Sequence, residues 1–412
     1  MAARLGVNLT VERVAVRDLS KPRPVKIPDR LLTADWREVV FDPAVQIVVE
    51  LMGGTTLARE VVAAALQQGK PVVTANKALL SAYGEELFEI AQRSGTNLYY
   101  EASVAGGIPI IKVLRESLVG NRITRIYGIV NGTCNYILSR MKREGADFGD
   151  VLADAQRLGY AEAEPSLDVD GHDAAHKTGI LASIAHGFWV DPKKIHTEGI
   201  RTIGKTDIEY AGQLGYTIKL LGVIKADAMG DNAKKTAPVL VAVYPALVPN
   251  SHVLANVNDV FNAVFVRGDV VGDTLYYGRG AGQDATASSV LSDLGDAARD
   301  LACGTPRRLP GFVCRQQAGA MLPLDKSVAR YYVRFDVVDR PGVLARIAAI
   351  LGRAKIGISS VIQPEGHEGE SVPLILMIHD APNAAMRVAL DRISKLSVVK
   401  GRPVMIRVEH FD

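Results

Sequence analysis

The sequence predicts three units in chain order: a doubly wound α/β unit, an α+β unit and a small ferredoxin-like unit. Three observations carry this. Over the first hundred residues, short apolar strands alternate with amphipathic helices, the pattern of a parallel sheet covered on both faces. The middle of the chain turns to neighbouring runs that alternate apolar and polar residues, as strands with one solvated face do. Near the C-terminus the element order becomes β-α-β-β-α-β, the ferredoxin-like arrangement.

The elements follow in order. Residues 9–16 are mostly apolar and β-branched, and residues 46–51 form an apolar run that leads to Gly53-Gly54. Residues 57–67 have helical periodicity, closed by Gly69 as a C-cap. Residues 71–74 read as a buried strand, 78–93 as a helix stopped by Gly95, and 98–100 as a further strand. In the middle, 108–118 and 134–144 are helical. Residues 122–130, 216–223, 239–243, 257–266 and 270–277 read as strands, and 287–301 as a helix. The last unit has strands at 332–337, 358–363, 372–379 and 404–408, with helices at 343–354 and 384–396. The Pro/Gly/basic stretch 305–311 and the loop at Pro323 precede it. The expected boundaries are 1–103, with the first unit returning at 284–322, then 104–283 and 330–412.

Composition narrows the function. The chain has 412 residues, 48% of them hydrophobic and 23% charged, which gives a globular protein rather than a disordered one. A net charge of +3 without a basic stripe gives no reason to expect a nucleic-acid partner. No run approaches the roughly 20 apolar residues of a membrane span. The N-terminal Met1-Ala2-Ala3-Arg4 has no apolar signal core, and Cys134, Cys303 and Cys314 are scattered. A reducing cytoplasm is therefore expected.

Five segments carry chemistry. Residues 160–173 hold Glu162, Glu164, Asp168, Asp170 and Asp173 with no Lys or Arg. An acid-rich solvated loop is one reading. A calcium loop is another, and it fails on the EF-hand positions. In a third reading the segment runs into a helix on which Asp173 and Lys177 share a face, so that an ammonium ligand lies beside a proton donor. Lys77 stands at the carboxyl end of a parallel strand, where open α/β sheets bind ligands; a solvated first-turn lysine is the plain alternative. The turn Glu101-Ala-Ser-Val-Ala-Gly-Gly-Ile-Pro109 could hold an anion at a helix start or a hard cation on its carbonyls, or be an ordinary connection. Gly278–Ala285 contains G-x-G-x-x-A but no βαβ unit follows. Asp339-Arg-Pro-Gly-Val-Leu344 joins strand to helix in the last unit.

Taken together and in order, Glu50–Gly54, Thr74–Lys77, Glu101–Ile110, Gly128–Thr133, Gly159–Lys177 and Gly280–Ala287 resemble homoserine dehydrogenase over nearly the whole chain. The Asp339–Leu344 turn makes the last unit similar to an ACT domain. The resemblance implies NAD(P)-dependent interconversion of L-homoserine and L-aspartate 4-semialdehyde, on the way to threonine and methionine. It implies Lys177 as general acid/base with Lys77 at the reacting centre, and Glu162, Asp173 and Asp168 on the substrate. It implies a sodium ion at Glu101, Val104, Gly106 and Ile108, and a cofactor near Lys77, Gly159, Gly280 and Gly282. Asp339 and Gly342 become the regulatory turn, with threonine as the expected effector and a homodimer or homotetramer as the assembly. The segment departs from the family in one place: no G-x-G-x-x-G precedes residues 9–16. The nucleotide-binding unit is therefore expected to be truncated, with about 20–30 residues preceding it. A gap is expected between the strands at 9–16 and 46–51, with weak NADP binding. Arg17, at the ribose position, would favour a 2′-phosphate and hence NADP, while Asp18 beside it leaves the choice between NADP and NAD open. A competing expectation is an amino-acid-binding regulatory protein that has lost its cofactor half; another is a dehydrogenase of a related semialdehyde.

Overall fold

The computed structural model describes residues 2–226, 238–305, 308–314, 320–365 and 370–411. Its first unit is a parallel sheet of β3 (Val48–Glu50), β4 (Val72–Thr74) and β5 (Leu98–Tyr99). Helices Thr56–Gln67 and Lys77–Arg93 connect the three strands. The first buries Ala58, Val61, Val62, Ala65 and Leu66 along one stripe. The second starts where the Asn76 side chain accepts from the Leu79 amide at 3.0 Å, an N-cap that fixes where Lys77 leaves the sheet.

The stretch 9–16 departs from expectation. Only β1 (Val14–Ala15) is strand, and it pairs in parallel with β2 (Leu32–Thr33). Leu9 and Val11 are 37% and 65% exposed. An apolar run becomes a buried strand only when neighbours cover both its faces, and residues 9–13 are all exposed. Among the described residues no ladder bond joins β1 to β3, and Leu51 is 61% exposed.

The rest of the chain is organised by one ten-stranded sheet. Its order is β11-β10-β6-β8-β9-β15-β12-β14-β13, with β7 also on β9. The strands are β6 (Ile123–Ile129), β7 (His196–Thr197), β8 (Tyr216–Ala226), β9 (Val239–Pro249), β10 (Phe261–Gly268) and β11 (Gly272–Arg279). Those of the last unit are β12 (Val328–Val338), β13 (Ile358–Ile362), β14 (Ser371–Pro382) and β15 (Val399–Val408). Helices Gly132–Glu144 and His172–His186 pack on one face of the middle strands. The strand expected to have a wet face, β6, is largely buried instead. It lies between β10 and β8. On the side away from those helices Tyr127 packs, with tilted rings, against Phe265 and against Phe411 beyond β15. A tail returning from nearly 300 residues away leaves no mark in local periodicity.

Helix Gln283–Ala302 runs back to the parallel sheet. Val290 and Ala297 pack with Val73, Tyr99 and Ala102, and Tyr99 donates to Asp300 at 2.8 Å. In the last unit, β15-β12-β14-β13 are antiparallel in the ferredoxin-like order, with helices Val343–Arg353 and Asn383–Ser394. Its core joins Tyr331, Val333, Phe335, Ile347, Leu374 and Ile393. The sequence does not announce that β15 pairs in parallel with β9, Arg407 opposite Ala246 and Val408 opposite Leu247. No helix is long and apolar enough to cross a membrane among the described residues.

Candidate functional site

The site is built where β6 ends. Asn131 follows it and caps helix Gly132–Glu144, its Oδ1 accepting from the Cys134 amide at 2.8 Å. That leaves its Nδ2 free to donate twice: to Asp168 Oδ1 at 2.7 Å and to Asp173 Oδ2 at 2.9 Å. Asp173 lies in the first turn of helix His172–His186, which starts at Gly171 with φ +86°. A Cβ at Gly171 would also press within 3.2 Å of the Glu198 carbonyl oxygen, so the helix start depends on glycine there.

One turn further on, Lys177 Nζ donates to Asp173 Oδ2 at 2.7 Å and to the Val130 carbonyl at 2.8 Å. Lys77 approaches the other oxygen of the same carboxylate, 3.2 Å from Oδ1. Asp173 and Lys177 are buried, whereas the Lys77 side chain keeps 35% of its surface. Burial would raise the Asp173 carboxyl, but the charges of Lys177 and Lys77 and the hydrogen bonds from Lys177 and Asn131 outweigh it and hold it down to about 2. The carboxylate stays ionised between two ammonium groups. An ammonium has three N–H donors, and two of those on Lys177 are taken. The third has no partner among the described residues.

Four of the expected residues thus meet: Lys177, Lys77, Asp173 and Asp168. Glu162 does not join them. It is exposed and its carboxylate has no partner among the described residues, while its carbonyl accepts from Gln156. The other acids of the segment are held locally, Glu164 by Ser166 and Asp170 by Arg201. The segment is therefore a set of fixed turns with a single free carboxylate. Asn131 and Thr133, which join Asp168 to the lysine pair and to Tyr160, lie in a motif visible in the sequence. Their role is not legible there, because it depends on contacts 27 to 42 residues away.

The residues match known proteins from end to end. Residues 109–294 match the family model for homoserine dehydrogenase, and residues 1–101 that for the homoserine dehydrogenase NAD binding domain. A homoserine dehydrogenase of Pseudomonas aeruginosa is 44% identical over 417 aligned positions, spanning 100% of this chain and 94% of that protein. The chain belongs to the homoserine dehydrogenase family. The crystal structure of a homoserine dehydrogenase from Thiobacillus denitrificans has a TM-score of 0.90 at 44% identity, with 99% of this chain and 92% of that one covered. One from S. aureus has a TM-score of 0.74 at 30% identity, again covering 99% and 92%. A hyperthermophilic archaeal homoserine dehydrogenase, solved in complex with NADPH, has a TM-score of 0.54 at 29% identity over 64% of this chain and 75% of that one. Full-length matches to homoserine dehydrogenases, with both catalytic and NAD-binding parts, do not favour the reading as an amino-acid-binding protein without catalysis.

Around the cluster, the loop expected to hold a cation docks on the turn before helix Gln283–Ala302. Gly107 donates to the Arg279 carbonyl at 3.0 Å, and Ser289 Oγ to the Gly106 carbonyl at 2.6 Å. Ala105 and Gly106 have φ of +54° and +41°, and a Cβ on Gly106 would fall 2.6 Å from the Gly280 carbonyl oxygen. Glu101 is buried, and its two oxygens accept from the amides of Ile111 and Lys112 at 2.8 and 2.9 Å. Burial pushes its carboxyl up to about 7, against the pull of those amides. Its carboxylate is committed to a helix start, so a cation here would rest on carbonyl oxygens, of Glu101, Val104, Gly106 and Ile108. Those are ligands a hard cation accepts.

On the cofactor side, Gly282 (φ +108°) and Gly159 (φ +76°) end in open space, with nothing within 4 Å of a Cβ placed on either. Arg17 follows β1, exposed. Lys77, the other residue expected at the cofactor, is partly exposed and paired with Asp173. In the last unit Asp339 accepts from Gln363 at 3.1 Å, and Gly342 (φ +86°) precedes helix Val343–Arg353. Among the described residues neither bonds to the lysine cluster.

Proposed function

We propose that the chain interconverts L-homoserine and L-aspartate 4-semialdehyde, with NADP or NAD as the cofactor and Lys177 as the group that gives and takes the proton. The observation that carries this is the lysine cluster: Lys177, pinned by Asp173 and the Val130 carbonyl, has one N–H left to point at a substrate oxygen. The nicotinamide, when bound, exchanges a hydride with the substrate's C4. As the aldehyde is reduced, charge grows on its oxygen, and a fixed ammonium stabilises it and delivers a proton. Lys77, partly exposed on the other side of Asp173, adds positive charge at the same centre. Asp173 keeps both ammonium groups oriented. Glu162, the free acid of its segment, takes the substrate's α-ammonium, and Asp168 lines the same end.

The same reading extends outward. The carbonyls of Glu101, Val104, Gly106 and Ile108 hold a sodium ion that stiffens the loop. Residues 330–412 act as an ACT domain that senses threonine through the turn at Asp339 and Gly342. The assembly is a homodimer or homotetramer in the cytoplasm.

Steady-state kinetics with homoserine and NADP+ test the core of this. Lys177→Ala is expected to lower kcat by roughly 10²–10⁴ with little change in KM, because the group acts mainly in the transition state. An unchanged kcat removes Lys177 from the chemistry.

A further inference from the structure

Asn262 is a buried residue that the reaction as described above does not use. It lies on β10 opposite Gly278 of β11, one position beyond the pair Ala263–Ile129 that joins β10 to β6. That places it level with Val130, whose carbonyl holds Lys177. It is 1% exposed, and both polar atoms of its carboxamide, Oδ1 and Nδ2, are enclosed without a hydrogen-bond partner among the described residues. Such atoms are costly to bury unpaired.

The fold can satisfy a carboxamide nearby. Asn135 is equally buried, and its Nδ2 donates to the carbonyls of Asp259 and Phe261 while its Oδ1 accepts from Lys219. Asn262 is left unpaired in a slot made by glycines. A Cβ on Gly280 would sit 2.0 Å from its Cγ, and one on Gly132 would come within 3.6 Å of its Oδ1. Gly132 begins the helix that Asn131 caps; Gly280 opens the turn on which the 104–108 loop rests. The carboxamide therefore lies where the lysine cluster, the cation-type loop and the turn into helix Gln283–Ala302 meet.

We propose that Asn262 is a positioning residue: it latches the Gly280–Ala281–Gly282 turn when dinucleotide and substrate bind. In the resting protein the turn stands beside the carboxamide without bonding to it. Glycines at 280 and 282 let the peptide groups rotate, and on closure the turn's N–H and C=O groups pair with Oδ1 and Nδ2. The latch sets the turn against the reacting centre while Asn262 itself touches no ligand. This inference rests on the dehydrogenase reading.

The test is Asn262→Leu, which keeps the branching at Cγ and removes both unpaired atoms. The resting protein should melt at the wild-type temperature or above it, since no hydrogen bond is lost. The rise in Tm on adding NADP+ and homoserine should fall to less than about half of the wild-type rise. Hydrogen exchange of the amides at 280–282, slowed by these ligands in the wild type, should no longer slow. The KM for NADP+ should rise about tenfold. A resting Tm lowered by more than about 5 °C would mean that the carboxamide is already bonded. Undiminished ligand protection at 280–282 would mean that the turn does not lean on it. Either result overturns the latch. Full activity in Lys177→Ala together with lost protection in Asn262→Leu would instead overturn the assignment of the proton donor and leave the latch standing.

Discussion

At the residue scale, the cluster is an ion triplet with one anion and two cations, and its order depends on Asp173. The carboxyl is held at about 2, below its ordinary value of 3.8. A depressed acid contributes stability above its unfolded pKa and loses it as pH falls through the folded one. Asp173 should therefore add about 2 kcal/mol above pH ~4, lost between pH ~4 and ~2. In Asp173→Asn the side chain still accepts from Lys177, but two ammonium groups are left without their anion. A loss of about 2–4 kcal/mol at pH 7 is expected, shrinking as pH falls toward 2. Urea unfolding of both proteins at pH 7 and pH 3 checks it, and parallel curves at the two pH values would remove the ion triplet from the stability account.

At the element scale, β8 is tied to its surroundings by a buried lysine rather than by packing alone. Lys219 is 1% exposed and donates to Asn135 Oδ1 at 3.1 Å, Asn258 Oδ1 at 3.2 Å and the Val257 carbonyl. Burial lowers its ammonium to about 7, with Lys142 adding to the fall. A base with a depressed pKa binds fewer protons folded than unfolded between pH 7 and about 10, so stability rises with pH across that window. Against Lys219→Met, which does not titrate, wild type should gain a few kcal/mol, about 1.4 for each pKa unit, from pH 7 to 10. Unfolding measured at the two pH values decides it; no relative gain means the lysine stays charged throughout. The elements also mark where sequence reading succeeds. Helices such as Lys77–Arg93 and Val343–Arg353 were legible because their periodicity and caps are local. Of the site, the Asp173–Lys177 pair was legible from i,i+4 spacing. The bond of Lys177 to the Val130 carbonyl and the double donation of Asn131 were not, because a backbone acceptor and a side chain 37 to 42 residues away leave no periodic trace.

At the scale of the molecule, the last unit is not hung from a linker. Beside the β9–β15 ladder, buried Asp207 is held by Arg334 at 2.8 Å and by the Tyr332 hydroxyl at 3.1 Å. Arg407, 2% exposed, forks onto Glu198 at 2.8 and 3.0 Å and lies over the Tyr244 ring. Glu409 takes Tyr244 and Lys225 from the middle strands. A ligand that biases such a unit must do so by twisting a sheet it shares with the catalytic strands, not by swinging a hinge. Titration calorimetry should detect threonine binding, and the same concentration range should lower dehydrogenase activity. Binding without any change in activity would detach the unit from regulation, and no binding would remove threonine as its ligand.

The patched edge of β9 also imposes an order on synthesis. Its outer side is covered in pieces: β7 at Ala242 and Val243, Met321 at Val239, and β15 at Ala246 and Leu247. The last of these emerges from the ribosome some 160 residues after β9 itself. At roughly 5–20 residues per second, an apolar strand edge waits on the order of ten seconds for its final cover. During that time the nascent catalytic half carries an open template for strand addition. The same ladder that unites the finished protein makes the synthesis of β15 the moment at which the edge of β9 is protected.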